Sequence, residues 1–269
     1  MKLKDKVVVV TGAGNGIGES LARRFASEQA KGIVVSDLNG ENAEKVAAGI
    51  RSAGGYAVGM RADVGVESDI QNLVKRAEAE FGPVDLFCSN AGIVDEGGAD
   101  APDLKWARSW EVNVMAHVYA ARAVLPSMLE RKQGYLLSTC SAAGLLTSPG
   151  AAPYAVTKHA AIAFAEWLAI THGDAGIRVS VICPQAVRTK LLEDSIGSGN
   201  AASSAFSKMG NLLEPDDVAD VALRGIETEQ FLILPHPEVK DFVQRKVADV
   251  DRWIAGMRRF LAQATSALK

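Results

Sequence analysis

Short apolar runs, rich in Val, Ile and Leu and bounded by Gly, Pro or Asp, recur along the chain. They are Val7–Val10, Gly32–Ser36, Tyr56–Arg61, Leu86–Ser89, Tyr135–Ser138, Arg178–Cys183 and Phe231–Leu234. A strand covered by helices on both faces has no polar side to show, so unbroken apolar runs predict central parallel strands. Longer stretches lie between them, with apolar positions spaced by three or four: Ile17–Gln29, Glu41–Ala53, Glu67–Phe81, Leu104–Lys132 and Tyr154–Gly173. These predict helices. The alternation predicts an α/β fold with a doubly wound parallel sheet, whose ligands sit beyond the carboxyl ends of the strands.

The pattern changes after Pro235 and Pro237. Val239, Val243, Val247, Val250, Ile254, Met257 and Leu261 step by three or four, which predicts one amphipathic helix over Glu238–Leu268. The chain thus divides into a domain of residues 1–235 and a helical extension, 236–269, packed on that domain or on a partner subunit. Ser195–Ser207, rich in Gly, Ser, Asn and Ala, reads equally as a disordered loop or a functional lid within a substrate segment of about 190–213. No fixed-period repeat divides the chain.

Composition narrows the function. With 48% hydrophobic and 23% charged residues in 269, the chain has apolar area for a core, and disorder is excluded. A net charge of −3 with no dense Lys/Arg run argues against nucleic acid and against an anionic membrane surface as partners. Cys88, Cys140 and Cys183 are scattered and lack a C-x-x-C spacing, so neither a disulfide framework nor a thiolate metal site is expected, and a reducing cytoplasm fits. His117, His159, His172 and His236 share no ligand spacing, so no metal is expected. The run Val7–Val10 is too short for an export signal, and no apolar stretch is long enough for a membrane span.

Candidate chemistry begins where the first strand ends. Thr11-Gly12-Ala13-Gly14-Asn15-Gly16-Ile17-Gly18 is a glycine-rich turn opening a helix, which lets main-chain N–H groups and the positive helix end approach a pyrophosphate. Asp37 ends the second strand, nineteen residues beyond Gly18, where a carboxylate accepts hydrogen bonds from both hydroxyls of an adenosine ribose. It would repel a 2′-phosphate, and neither Asn15 nor Leu38 supplies a cation to hold one, so NAD is expected rather than NADP.

A second signal is Tyr154-Ala155-Val156-Thr157-Lys158, preceded by Pro153 as a natural first helical residue. Residues four apart share a helix face, so phenol and ammonium point the same way. A free phenol, with a pKa of ~10, is a poor base at neutral pH. The Lys158 cation, with the positive ring of an oxidised nicotinamide, would pull it toward the working range. Ser141, just past a strand end, is placed to donate to a substrate oxygen, with Ser138 and Thr139 as competing hydroxyls.

Together these pieces resemble the short-chain dehydrogenase/reductase family, over Lys6 to about Val221. The resemblance rests on Thr11–Gly18, Asp63-Val64, Phe81–Asp85, Ser89–Gly92, Asn113, Ser141, Tyr154 with Lys158, Pro184–Thr189 and Pro215–Ala219, in matching order and spacing. It implies a Rossmann fold and hydride transfer between a nicotinamide and an alcohol or ketone. Tyr154 would be the general acid/base, and Lys158 would tune it and hold the nicotinamide ribose. Ser141 would position the substrate oxygen, and Asn113 would anchor a proton-relaying water. Asp63 and Val64 would lie near adenine, Asn90, Ala91 and Gly92 along the cofactor, and Val187 and Thr189 at the carboxamide, with Pro184 also in the cofactor set. Gly12, Asn15, Gly16, Ile17, Gly18, Asp37 and Leu38 complete the cofactor set.

The chain departs from the family pattern at Ser89, where Asn is common, at Gln185, where Gly is usual, and in its tail, where a helix replaces the end that builds tetramers in relatives. Leu145, Leu146, Leu191, Leu192, Ile196, Phe206, Met209 and Leu212 would make an apolar cleft, suited to a fatty, terpenoid or steroid-like alcohol. Trp110, Val114, Val118, Phe164 and Trp167 lie on the two helices that pair across a twofold axis in relatives, so a homodimer or homotetramer is expected. A catalytically silent dinucleotide sensor and another reaction of the family, such as 3-oxoacyl reduction, stay open.

Overall fold

Val7 to Val10 form an inner strand of the sheet. In the computed structural model, which describes residues 1–197 and 211–266, β1 (Val7–Thr11) lies between β2 (Gly32–Asp37) and β4 (Leu86–Ser89). β3 (Ala57–Arg61) flanks β2, and β5 (Gly134–Thr139), β6 (Ile177–Ile182) and β7 (Leu232–Ile233) continue beyond β4. The order is β3-β2-β1-β4-β5-β6-β7, and every pairing is parallel. This is the doubly wound sheet that the alternation of runs predicts.

The helices are α1 (Gly16–Ser27), α2 (Gly40–Ser52), α3 (Glu67–Glu80), α4 (Asp103–Trp110), α5 (Ala116–Glu130), α6 (Ala143–Leu146), α7 (Ala152–His172), α8 (Lys190–Gly197), α9 (Pro215–Glu227), α10 (Glu238–Ala248) and α11 (Val250–Ser266). Because side chains alternate across a strand, the four valines of β1 serve two cores. Val8 and Val10 pack with Leu21, Phe25, Ile50 and Leu223 of α1, α2 and α9. Val7 and Val9 pack on the opposite face with Leu73, Val124 and Leu168 of α3, α5 and α7.

Three predicted elements differ from the observed ones. The helix expected over Leu104–Lys132 is interrupted by a π-turn at Glu111–Met115 between α4 and α5. The single helix expected over Glu238–Leu268 breaks at Asp249, whose backbone is extended (φ −157°, ψ 93°) and whose Oδ1 accepts the Arg252 N–H at 2.9 Å. An aspartate side chain competes for main-chain donors and so favours a helix start over a helix interior. Ser195 to Gly197, expected in an irregular segment, close α8, whereas residues 198–207 of that expectation lie outside the described residues.

The start of the extension packs on its own chain. Val239 is fully buried against Ala142 and Leu146, with Phe242, Val243 and Trp253 alongside, and Lys246 Nζ donates to the Leu145 carbonyl at 2.6 Å.

Candidate active site

The carboxyl ends of the parallel strands open into a cleft of about 520 Å³. At one part of its wall, Gly12 and Gly16 take left-handed φ values of +60° and +57° in the turn after β1. A Cβ at Gly18 would stand 2.2 Å from the Gly12 carbonyl oxygen, so this turn closes only without a side chain. Asn15 precedes α1 without a side-chain cap bond. The first N–H groups of α1 have no intrahelical acceptor, and Asn15, Gly16, Ile17 and Gly18 line the cleft, so these donors are available to an anionic ligand there.

Neighbouring strands fix the turn. Asn90 Nδ2 donates to the carbonyls of Thr11 (2.9 Å) and Gly12 (3.1 Å). Thr11 Oγ1 accepts the N–H groups of Asn90 and Ala91 at 3.1 and 3.2 Å. Sequence reasoning missed Thr11 as a functional residue, although a hydroxyl ending an apolar strand before a glycine turn is a readable signal. Asp37 Oδ2 accepts the Gly14 N–H and Oδ1 the Asn39 N–H, each at 2.9 Å, which orients the carboxylate at the cleft wall beside exposed Leu38. Asp63, Val64, Ala91 and Gly92 line the same cleft.

The π-turn carries Asn113 inward, where it is wholly buried. Its Nδ2 donates to the Ile93 carbonyl (3.0 Å) and to Thr157 Oγ1 (3.1 Å), while Oδ1 accepts the Ile93 N–H (3.0 Å). Asn113 therefore clamps the loop after β4 to α7 and does not itself line the cleft. Gly92 passes close to both partners of the expected relay: a Cβ there would lie 3.2 Å from Lys158 Nζ and 3.3 Å from Asn113 Oδ1.

Tyr154 and Lys158 stand one turn apart on α7, with Nζ 5.8 Å from the centre of the phenol ring. Lys158 is buried, and its Nζ donates to the Thr139 carbonyl at 2.9 Å. Burial lowers the Lys158 pKa. Burial also pushes the Tyr154 phenol up to about 12, with the Ser141 hydroxyl opposing the shift by hydrogen bonding. In the protein alone, desolvation of the phenolate is the largest influence on this group, and the positive nicotinamide ring that the expected lowering also requires is not part of that balance.

Ser141 Oγ accepts the Ala143 N–H at 3.1 Å and lines the cleft. Of the competing hydroxyls, Ser138 is paired with His117 Nδ1 at 3.1 Å, which leaves it engaged away from the cleft wall. Burial, with the charge of Lys158, lowers the His117 pKa to about 3, so that ring is neutral. Beyond β6, Pro184, Val187 and Thr189 also line the cleft.

From the expected apolar set, Leu146, Leu191 and Leu192 reach the cleft. Leu145 instead packs between the core on the Val7 and Val9 side of the sheet and the cluster around Val239, and Leu212 is 40% exposed outside the cleft. The Ile196 side chain, Phe206 and Met209 lie outside the described residues. Among the described residues, no group of three His, Cys, Asp or Glu side chains could hold a metal ion, and no helix is long and apolar enough to cross a membrane.

Residues 6–197 match the profile of the short chain dehydrogenases. The chain belongs to that family. It is 30% identical to 1-deoxy-11-beta-hydroxypentalenate dehydrogenase from Streptomyces exfoliatus, over 95% of this chain and 92% of the relative. A short chain dehydrogenase/reductase from Burkholderia phymatum, solved in complex with NAD, superposes with a TM-score of 0.85 at 28% identity, covering 93% of this chain and 96% of its own. A 7α-hydroxysteroid dehydrogenase complexed with NADH and 7-oxo glycochenodeoxycholic acid gives 0.80 at 29%, covering 87% and 93%. As a short chain dehydrogenase, this protein is an oxidoreductase that uses a nicotinamide dinucleotide.

Proposed function

We propose that this short chain dehydrogenase interconverts a secondary alcohol and its ketone with NAD, and that Tyr154 moves the proton. The observation that carries this reading is the meeting of the Tyr154 phenol, the Ser141 hydroxyl and the buried Lys158 ammonium on the cleft that Asp37 and the glycine turn also line. The residues fit the dinucleotide: Gly12, Asn15, Gly16, Ile17 and Gly18 offer main-chain donors to a pyrophosphate, and Asp37 offers acceptors to a ribose. Bound nicotinamide supplies or accepts the hydride.

The chain's own residues handle the substrate oxygen and its proton. Ser141 donates to that oxygen and holds it near Tyr154, which gives up its proton in ketone reduction and takes one in alcohol oxidation. Lys158 keeps a positive charge behind the phenol as it ionises. Both amide hydrogens of Asn113 are spent, so a water held there donates to Asn113 and keeps its oxygen for the Lys158 ammonium.

Asp37 supports NAD over NADP, because a carboxylate disfavours a 2′-phosphate. Arg61, its register partner on β3, is exposed and does not line the cleft. Leu146, Leu191 and Leu192 support an apolar alcohol, fatty, terpenoid or steroid-like, and the similarity to a hydroxysteroid dehydrogenase points the same way. Exposed Trp110, Val156, Trp167 and Ile170 on α4 and α7 support a homodimer or homotetramer. Three buried free thiols agree with a reducing cytoplasm.

Tyr154→Phe should lower turnover by at least about 10²-fold, the scale of a lost acid/base group, while NADH binding followed by fluorescence stays within about threefold. Near-normal turnover rejects Tyr154 as the acid/base. A panel of 2,3-butanediol, cyclohexanol, 2-octanol and a hydroxysteroid tests the substrate class, and preference for the small diol overturns the apolar assignment.

A further inference from the structure

Pro235-His236-Pro237 joins β7 to α10, and the imidazole held between the two prolines is 1% exposed. Both ring nitrogens are engaged. Nδ1 accepts the Gln185 N–H at 3.1 Å, and Nε2 donates to the Asn211 carbonyl at 2.9 Å. A main-chain N–H only donates and a carbonyl only accepts, so the two bonds together call for the hydrogen on Nε2 and the lone pair on Nδ1.

The two partners sit at a junction of the active site. Gln185 follows Pro184, whose carbonyl accepts the N–H of Ala142, the residue next to Ser141. Two residues on, Val187 lines the cleft. Asn211 leads into Leu213, whose N–H donates to the Ala186 carbonyl (3.2 Å) and whose carbonyl accepts the Arg188 N–H (2.9 Å). The main chain leaving β6 and the main chain entering α9 are therefore tied twice, once by this short ladder and once by the ring. A glycine after Pro184 would leave that segment free to flex, whereas here it is fixed from behind by a side chain of the C-terminal extension.

We infer that His236 is a positioning residue of the reaction site: its imidazole sets the Pro184–Val187 main chain, and with it the wall adjoining Ser141. The assignment depends on the alcohol–ketone reaction proposed above. Its experiment separates the two. In His236→Asn, Oδ1 replaces Nδ1 as acceptor for Gln185; in His236→Gln, the amide nitrogen replaces Nε2 as donor to Asn211; His236→Phe fills the space and makes neither bond.

Hydrogen exchange at the Gln185 amide reads the link without any turnover. Exchange should quicken at least about tenfold in His236→Phe and His236→Gln and stay near the parent rate in His236→Asn. With the best alcohol of the panel, kcat/KM per folded enzyme should fall at least about tenfold in the same two variants, and His236→Asn should regain most of the loss. Unchanged Gln185 exchange overturns the inference, as does equal activity of the Asn and Gln variants. If His236→Phe does not fold, the Asn–Gln pair decides alone. A parent protein that turns over none of the alcohols rejects the reaction, and Gln185 exchange then decides whether the ring holds the segment.

Discussion

The proton of Tyr154 is held by burial. With its phenol raised to about 12, Tyr154 would enter the proposed reaction at neutral pH as the acid that protonates a ketone oxygen. Alcohol oxidation needs the ionised form, so its rate should climb with pH across the alkaline range while ketone reduction declines. Lys158→Ala removes the nearest cation and should shift that climb to still higher pH, lowering oxidation at pH 8 by at least about tenfold. Pre-steady-state rates in both directions check this, and a flat oxidation profile rejects it. The proposed preference for NAD rests on one carboxylate. Asp37→Asn removes the charge that repels a 2′-phosphate while keeping an acceptor for the Gly14 N–H, so kcat/KM with NADP should rise at least about tenfold, or ~1.4 kcal/mol. Unchanged cofactor preference places the discrimination elsewhere.

Local conformations hold these groups in register. The turn into α1 closes because Gly18 lacks a Cβ that would meet the Gly12 carbonyl at 2.2 Å. Gly18→Ala should therefore open the turn, at a stability cost of about 1–3 kcal/mol, and weaken NADH binding at least about tenfold. Calorimetry and fluorescence titration measure the two effects, and unaltered binding would show that the turn tolerates a side chain. The turn was legible in the sequence because each glycine answers a local demand of the main chain. The π-turn at Glu111–Met115 was not: its residues fit a regular helix, and what displaces them is the seat of Asn113 between Ile93 and Thr157 on separate elements. The break at Asp249 lay between, since an aspartate in an apolar periodicity signals a cap only when the chain turns there.

Over the whole molecule, two cores divide the sheet and leave one face of α4 and α7 uncovered. Trp167 is 54% exposed and Ile170 85%, on a helix that buries Ile162 and Leu168. Burying such a face against a second copy removes it from water at ~25 cal/mol per Å². Light scattering at micromolar concentration should find a dimer or larger, and Trp167→Glu with Ile170→Glu should shift it to monomer without unfolding; a monomeric parent protein contradicts the assembly.

The alternation of strands and helices, the glycine turn, the place of Asp37 at a strand end and the Tyr154–Lys158 spacing were written in the sequence, because each depends on periodicity or on spacing along a short stretch of chain. Folding alone decided the rest. The acidity of Tyr154 follows from the depth at which α7 meets the sheet, and Asn113 became a clamp because of what the π-turn brings beside it. His236 acquired two bonds because β7 delivers it between Gln185 and Asn211, residues 51 and 25 positions away along the chain. Desolvation and long-range hydrogen bonding depend on neighbours distant in sequence, and no local pattern of residues encodes them.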